Sequence, residues 1–376
     1  MSAGRAPYAE LHCHSAYSFL DGASLPQELA RRAAELGYGA LALTDHNCVS
    51  GSMELAQAAR DIGLRAIHGA EVDLVGGRHI TLLVCEGAGW GNLCRILTHA
   101  HAGTREGSGR ERGEPAVELE RVLEHARGLI CLTGCASHSA LGEGVRDEPI
   151  GRRLLEAFGR ERLRVELQRP YLRHDRARNR MLAALARRLQ VACVATGDVH
   201  AHARCRAELQ DAFVALRHHS TLDASEPLRR GNFSHVLASP EAMAHRFADH
   251  PEAVRESLAV AEMASFDLTR ELAYSYPGAE DGDAGVRLAE LCEARLRERY
   301  GSDGGRRGGC PGAGVRAEAK ARLEQELRVI ERLGLAGFFL LHHDMLELAR
   351  EVAVEVRGPA GADSPRALLA PGRGRG

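Results

Sequence analysis

The stretch YAELHCHSAYSFLDG, Tyr8–Gly22, sets two histidines either side of a cysteine at the end of a short apolar run and follows them with an aspartate. In an extended strand alternate side chains share a face, so His12 and His14 point together and Cys13 turns away. Polar rings are costly to bury without partners, so their position at a strand end has to be explained by what they meet there. The device recurs near residue 200, where GDVH places Asp198 and His200 on one face of a strand end.

Working outward, short apolar runs alternate with helical stretches. AELHCHS, ALALTDHN, RAIHGAEVDL, HITLLVCEG, LICLTGCAS, RVELQ and VACVATGDVH each read as a buried strand closed by turn formers. Helices lie between them: SLPQELARRAAELGYG, with a serine cap, a proline and a stop at Gly37, then SMELAQAARDIG and RARNRMLAALARRLQ. Seven strands in βα alternation predict an α/β fold with a parallel sheet, and so many units in series favour a closed barrel.

The metal-competent residues follow a direction along the chain. Asp21 follows the first strand, His46 closes the second behind Asp45, Glu71 closes the third and Cys135 the fifth. His101 ends the helix NLCRILTHAH after the fourth strand, with His99 as its rival. In a parallel barrel the C-terminal strand ends form one rim, where active sites sit. His12, His14, Asp21, His46, Glu71, His101, Cys135, Asp198 and His200 are therefore expected to converge there. Five imidazoles, three carboxylates and one thiolate exceed the needs of one ion, so two or three divalent ions are expected. Mixed nitrogen and oxygen donors suit Zn, Mn or Fe. Closely spaced ions of this type make water nucleophilic at neutral pH and clamp both oxygens of a phosphoester, so the chemistry implied is phosphoester hydrolysis. His68 and His79 are read as structural, and His218 and His219 as facing solvent or a neighbouring domain. The hydroxyls of Ser15, Tyr17 and Ser18 offer nucleophiles, but spacing supports no Ser-His-Asp arrangement.

Bulk properties narrow the class. The chain has 376 residues, enough for one large domain and part of another, and its 44% apolar content supports a proper core. No apolar run reaches a membrane span and the N-terminus lacks a signal-peptide core, so a soluble cytoplasmic protein is expected with no membrane partner. A formal net charge of −2 excludes a globally basic DNA-coating protein. Lys320 is the only lysine, and twelve arginines lie between Arg152 and Arg188, either a solvated helix face or a phosphate-facing surface. Ten cysteines without C-x-x-C pairs argue against a disulfide scaffold and for small buried hydrophobes.

After about residue 270 the pattern changes to helices and a glycine-rich linker, SDGGRRGGCPGAG. The helix RAEAKARLEQELRVIERLG carries Leu323, Leu327 and Ile330 at helical spacing and stops at Gly334. The run VAVEVRG reads as a short strand leading to a terminal glycine-arginine loop, which resembles the start of a phosphate-binding element. The polar, glycine-rich segment 103–116 reads as a mobile insertion.

HCHSAYSFLDGAS, LTDHNCVSG, HGAEVDL, TGCAS and ATGDVHAH resemble the motifs of the polymerase and histidinol phosphatase (PHP) domain. The whole chain resembles the N-terminal part of bacterial C-family DNA polymerases, of the DNA polymerase III alpha type. RVELQRPYLRHDRARNR, LQDAFVALRHHSTLDASEPLRRGN and GLAGFFLLHHDMLELAREVAVEVRGP look most like the error-prone, damage-inducible branch of that family. The resemblance implies a distorted (βα)7 PHP barrel over 1–270, followed over 271–376 by linker helices and the beginning of a polymerase palm. It implies a metal site of nine positions, which fall on the nine residues above, and 3′–5′ exonuclease-like removal of nucleotides where the set is intact. It implies Arg373 and Gly374 near the incoming nucleotide's phosphates, and Mg for the polymerase site of a longer parent. Primer–template DNA, deoxynucleotides, a sliding clamp and translesion accessory proteins are its implied partners. The polymerase catalytic aspartates come later in that family, so the chain reads as a truncated polymerase. Two other functions are weighed: a metal-binding scaffold without catalysis, and a histidinol-phosphatase-type small-molecule phosphatase. The tail beyond residue 270 argues against the phosphatase.

Overall fold

The computed structural model describes residues 8–104, 113–231, 233–271, 282–300 and 313–357. The chain divides into two compact units, Met1–Leu272 and Ala273–Gly376. Arg373, Gly374 and most of the two glycine-rich segments, 103–116 and 302–314, lie outside the described residues.

In the first unit, α1 (Pro26–Leu36) precedes β1 (Ala40–Leu43), and α2 (Ser52–Asp61) precedes the hairpin of β2 (Arg65–Leu74) and β3 (Arg78–Val84). Next come α3 (Gly87–His101), α4 (Leu119–Glu124), β4 (Leu129–Leu132), α5 (Glu148–Phe158), β5 (Leu163–Gln168), α6 (Asp175–Leu189) and β6 (Ala192–Thr196). Helices α7 (Ala207–Arg217), α8 (Pro240–Arg246), α9 (Pro251–Met263) and α10 (Leu268–Glu271) follow. The six strands form one sheet in sequential order. The expected α/β barrel architecture is present. The first apolar run joins it through isolated bridges rather than a full ladder: Glu10 pairs with Leu41 and Cys13 with Val199, both in parallel. Thr44 donates its N–H to the Cys13 carbonyl and His14 to that of Val199, so residues 10–14 close the gap between the ends of β1 and β6.

One expectation is corrected. The sheet is not uniformly parallel, because β3 runs antiparallel to both β2 and β4. Only Val75, Gly76 and Gly77 separate β2 from β3, and a parallel crossover needs a dozen residues or more. Gly76 and Gly77 take φ +103° and +80°, which admits a tight turn that side chains with a Cβ resist. The reversal brings the N-terminal end of β3, with His79, to the rim formed by the C-terminal ends of its neighbours.

The barrel interior is layered. Leu11, Ala42, Ile67, Leu83, Ile130, Leu132 and Val194 pack together against Val260, Ala261 and Ala264 at the end of α9. Ser257 of α9 accepts the Ala9 N–H at 3.1 Å, and Glu256 pairs with Arg164 at the start of β5, so α9 covers the N-terminal mouth. Each large aliphatic side chain sequestered there stabilises by about 1.5–3 kcal/mol. Further along the same inward faces the residues become polar: Glu71 on β2, Thr81 and His79 on β3, Glu166 and Gln168 on β5, Thr196 on β6. The outward faces carry Val72, Leu82, Cys131, Val165 and Ala195, which pack with the surrounding helices in the main core.

Smaller expectations are also revised. Ser24 does not cap α1; Leu25 holds the cap position with its N–H on Glu28, while Ser24 Oγ meets His202 Nδ1 at 2.8 Å. Several of the arginines from 152 to 188 are paired with acids, among them Arg152 and Arg188 with Glu148, Arg153 with Glu120 and Arg178 with Asp175. The nine described cysteines are all free, and only Cys13, Cys131 and Cys135 are buried. Among the described residues no helix is long and apolar enough to cross a membrane.

The second unit consists, among its described residues, of α11 (Ala284–Tyr300), α12 (Ala313–Arg332) and α13 (Ala336–Arg357). Ala284, Leu288, Ala336 and Leu340 form its core, with Leu327 and Ile330 of α12 packed against them. Gly334 (φ +64°) ends the connection after α12 as expected. VAVEVRG is not a strand: residues 352–357 complete α13.

Candidate metal centre

At the rim, His12 Nε2, His14 Nε2 and Glu71 Oε2 lie 3.0–3.1 Å from one another. Asp198 Oδ1 stands 3.9 Å from His12 Nε2 and 3.7 Å from His14 Nε2. His46 Nε2 is 3.7 Å from Glu71 Oε2 and 3.3 Å from Asp21 Oδ2, which is also 3.0 Å from His200 Nε2. The His14 ring stacks between those of His46 and His200, with centroids 4.5 and 4.4 Å away. Cys135 Sγ sits 2.8 Å from His79 Nε2, which in turn is 2.5 Å from Glu71 Oε1. Eight of the nine residues picked from the sequence thus meet on one face. The ninth, His101, is exposed at the end of α3, with Nε2 2.8 Å from the Asn47 carbonyl.

Asp198 and His200 meet by a different route from simple strand alternation. Asp198 has φ +51°, outside β6, and its Oδ1 lies 3.6 Å from His200 Nδ1. Four side chains that were passed over or read as structural complete the rim. His79 arrives through the reversed β3. His138 packs edge-on to His79, with ring centroids 5.5 Å apart. His235 places Nδ1 3.3 Å from Asp198 Oδ2. Arg230 Nη2 lies 2.6 Å from His200 Nε2 and 3.2 Å from Asp21 Oδ1.

Behind these groups stand buried partners that fix their orientation. Glu166 Oε1 lies 2.7 Å from His12 Nδ1, and the same carboxylate accepts hydrogen bonds from Gln168, Thr196 and the Gly134 N–H. With the His12 proton on Nδ1, the Nε2 lone pair faces the centre of the cluster. Asp45 accepts from the Ser15 N–H and from the Ser15 and Ser18 hydroxyls, and Ser18 Oγ lies 3.2 Å from His14 Nδ1. Ser15 and Ser18 are therefore tied to the loop, and the Tyr17 hydroxyl donates to Glu54; their hydroxyls are engaged as supports.

The charge pattern follows from crowding. Burial disfavours the charged form of Glu71, but His46, His79 and His12 overcome it and hold its carboxyl well below the usual range. Burial is likewise outweighed at Asp198, chiefly by His200 and His235, and at Asp21 by His200 and Arg230, so both stay anionic. Burial, reinforced by the charges of His200 and His46, pushes His14 down to about 3, which leaves it neutral with a lone pair available. At His12 burial opposes protonation and the Glu166 and Glu71 carboxylates prevail, raising it well above the ordinary value.

The residues fit a divalent ion. Glu71 Oε1 makes no hydrogen bond among the described residues despite its approach to His79 Nε2. Two imidazole nitrogens and a carboxylate oxygen at about 3 Å cannot each carry a proton on the facing side, so a shared cation satisfies them better. Four groups of three donors lie within 4.8 Å of one another: His12, His14 and Glu71; His14, His46 and His200; Asp198, His200 and His235; His79, Cys135 and His138. Donors of N, O and S type in such sets suit zinc, manganese or iron.

Residues 10–170 match the PHP domain. Residues 286–364 match the bacterial DNA polymerase III alpha NTPase domain. The chain is 34% identical over 372 residues to an error-prone DNA polymerase of Symbiobacterium thermophilum, across 94% of this chain and 33% of the relative. It is 35% identical over 377 residues to an error-prone DNA polymerase of Mycolicibacterium paratuberculosis, across 95% of this chain and 33% of the relative. The chain thus spans about a third of the length of the curated relatives it matches. Among solved structures, it is similar to a putative metal-dependent phosphoesterase from Bifidobacterium adolescentis, at 18% identity and TM-score 0.40, over 52% of this chain and 88% of that one.

Proposed function

We propose that the first unit is a metal-dependent phosphoesterase acting on DNA 3′ ends, carried at the N-terminal side of an error-prone DNA polymerase. The observation that supports it is the meeting of His12, His14, Asp21, His46, Glu71, Cys135, Asp198 and His200 on one face, with their donor atoms grouped at ion-binding distances. His101 is kept as the ninth member, acting at the loop that carries His46. Two or three divalent ions, held by the four donor groups, would supply Lewis acidity toward a phosphoryl oxygen. The chain's own part is to orient and to neutralise. Glu166 holds the His12 proton at Nδ1, Asp45 and Ser18 fix the His14 ring, and Arg230 is placed to meet a phosphate oxygen between Asp21 and His200. For the longer polymerase we propose damage-induced translesion synthesis on primer–template DNA from deoxynucleotides. Residues 271–376 would form the linker helices and the beginning of its palm, with a clamp and accessory proteins as partners.

A second reading, a barrel that scaffolds without hydrolysing, has one observation behind it. Arg230 already supplies positive charge to Asp21 and covers His200 Nε2. The full chain, loaded separately with Mn²⁺ and Zn²⁺, separates the two when given a 5′-labelled strand. Shortening from the 3′ end that His12→Ala and Asp198→Ala abolish supports the hydrolase. Bound metal without shortening assigns the scaffold. Activity unchanged in both variants overturns the site.

A further inference from the structure

Near the metal-ligating rim, a cleft of about 380 Å³ opens between the loop after β5 and the segment leading to His235. Tyr171, Phe233, Ser234, Arg204 and Arg246 wall it, over an apolar floor that includes Leu237. Both walls continue directly from the metal centre. Tyr171 stands three residues beyond Gln168, whose Nε2 is 3.3 Å from His12 Nδ1, and Phe233 stands two residues before His235.

Arg246 carries the argument. Its side chain is 9% exposed, its Nε has no hydrogen-bond partner, and among the described residues its guanidinium enters no ion pair. The contact it does make is with the Tyr171 ring, 5.0 Å from the centroid. A buried cation without an acid beside it is unfavourable, so its place on a cleft wall calls for an anionic guest. Tyr171 is 64% exposed and has φ +65°, a left-handed conformation that costs a non-glycine residue energy. The loop holds it there through Ser234, which donates to the Pro170 carbonyl, and Arg169, which donates to the Arg246 carbonyl and pairs with Asp249. Phe233 is 54% exposed on the other wall, and Arg204 is exposed with no ion pair among the described residues. Aromatic faces beside free guanidinium groups are what a single nucleic-acid strand requires: a stacking surface for bases and cations for phosphates.

We propose that this cleft receives one nucleotide of a single-stranded DNA end, its base against Tyr171 and Phe233 and its phosphate on Arg246 and Arg204. The inference rests on the phosphoesterase reading and names the strand that the metal centre would act on. A DNA end seated here would lead its backbone from the cleft toward the donor atoms at His12 and Asp198.

The test compares binding of two fluorescein-labelled probes to the full chain by anisotropy: a short oligothymidylate with phosphorothioate linkages at its 3′ end, and an abasic oligomer of equal length and linkage. Wild type is expected to prefer the thymidylate by at least about five-fold, as base stacking on aromatic side chains predicts. Tyr171→Ala and Phe233→Ala, both at exposed positions, should lose that preference and bind the abasic oligomer as wild type does. Arg204→Met should weaken both probes and reduce the logarithmic salt slope by about 0.7. Equal affinity of wild type for the two probes, or an undiminished preference in both aromatic variants, would overturn the assignment. Binding is read without turnover. A chain that takes up the thymidylate with these preferences but never shortens DNA refutes the phosphoesterase reading alone.

Discussion

Glu166 Oε1 sits 2.7 Å from His12 Nδ1, both groups fully buried, and this contact decides which nitrogen of His12 faces the cluster. The carboxylate is itself held by Gln168, Thr196 and Gly134, so the imidazole is fixed in one orientation with Nε2 toward the cluster. Partners of this kind typically contribute 10- to 100-fold in metal affinity. Glu166→Gln, close in shape but uncharged, is expected to weaken Zn²⁺ or Mn²⁺ binding by about that factor while the barrel stays folded. Competition against a chromophoric chelator measures it, and an unchanged affinity would remove Glu166 from the site's support.

Arg230 makes the opposite contribution. Its guanidinium lies against Asp21 and His200, where an ion using those ligands would be repelled. Arg230 is about a quarter exposed, so solvent screens the effect to the order of 1 kcal/mol. Arg230→Met is therefore expected to tighten metal binding by about five-fold and, if Arg230 meets substrate phosphate, to lower DNA hydrolysis at the same time. Elemental analysis after dialysis, alongside the 3′-end assay, reads both. Weaker metal retention in the variant would show that Arg230 supports the ligands.

How much of this was legible in the sequence depended on strand direction. His12, His14, His46, Glu71 and Cys135 were found because parallel strands deliver their C-terminal ends to one rim. His79 was misread because the same rule, applied to an antiparallel strand, looks at the wrong end; the three-residue VGG connection was the available signal. Glu166 lay in plain view as a carboxylate inside the apolar run RVELQ, where an unpaired charge could not have been buried. His235 and Arg230 come from the irregular segment after α7, which has no periodicity to place them. The cleft at Tyr171 and Phe233 depends on a left-handed backbone and on tertiary contacts, and sequence pattern records neither.

Chelation tests whether the ions are part of the fold. His12, His14, Asp21, Glu71, Asp198 and His200 are all buried, and the carboxylates of Asp21, Glu71 and Asp198 converge there in their anionic form. An ion bound only by the folded barrel at a hundred times its dissociation constant contributes ~2.7 kcal/mol. EDTA should lower Tm correspondingly, and re-addition of Zn²⁺ or Mn²⁺ should restore it. A chain of confirmed metal content whose Tm does not move on chelation would sink the metal assignment.

His68 offers a pH test away from these ligands. It packs edge-on to Trp90 and Phe266, with centroids 6.1 and 6.2 Å away, and its buried Nδ1 has no hydrogen-bond partner among the described residues. Burial pushes its pKa down to about 4, only partly offset by Asp267. Between the ordinary value of about 6.5 and 4 the unfolded chain takes up a proton that the folded chain refuses. The neutral ring's contribution is thus complete above pH 6.5 and is lost progressively as the pH falls to 4, on the order of 3 kcal/mol in all. Other histidines titrate in the same window, so the quantity to measure is the difference between wild type and His68→Phe. Urea unfolding followed by the fluorescence of Trp90, the only tryptophan, should show the variant losing less stability than wild type as the pH drops from 6.5 to 4.5. Parallel stability curves for the two chains would mean that the folded protein protonates His68 without cost, contrary to its apolar, unpartnered setting.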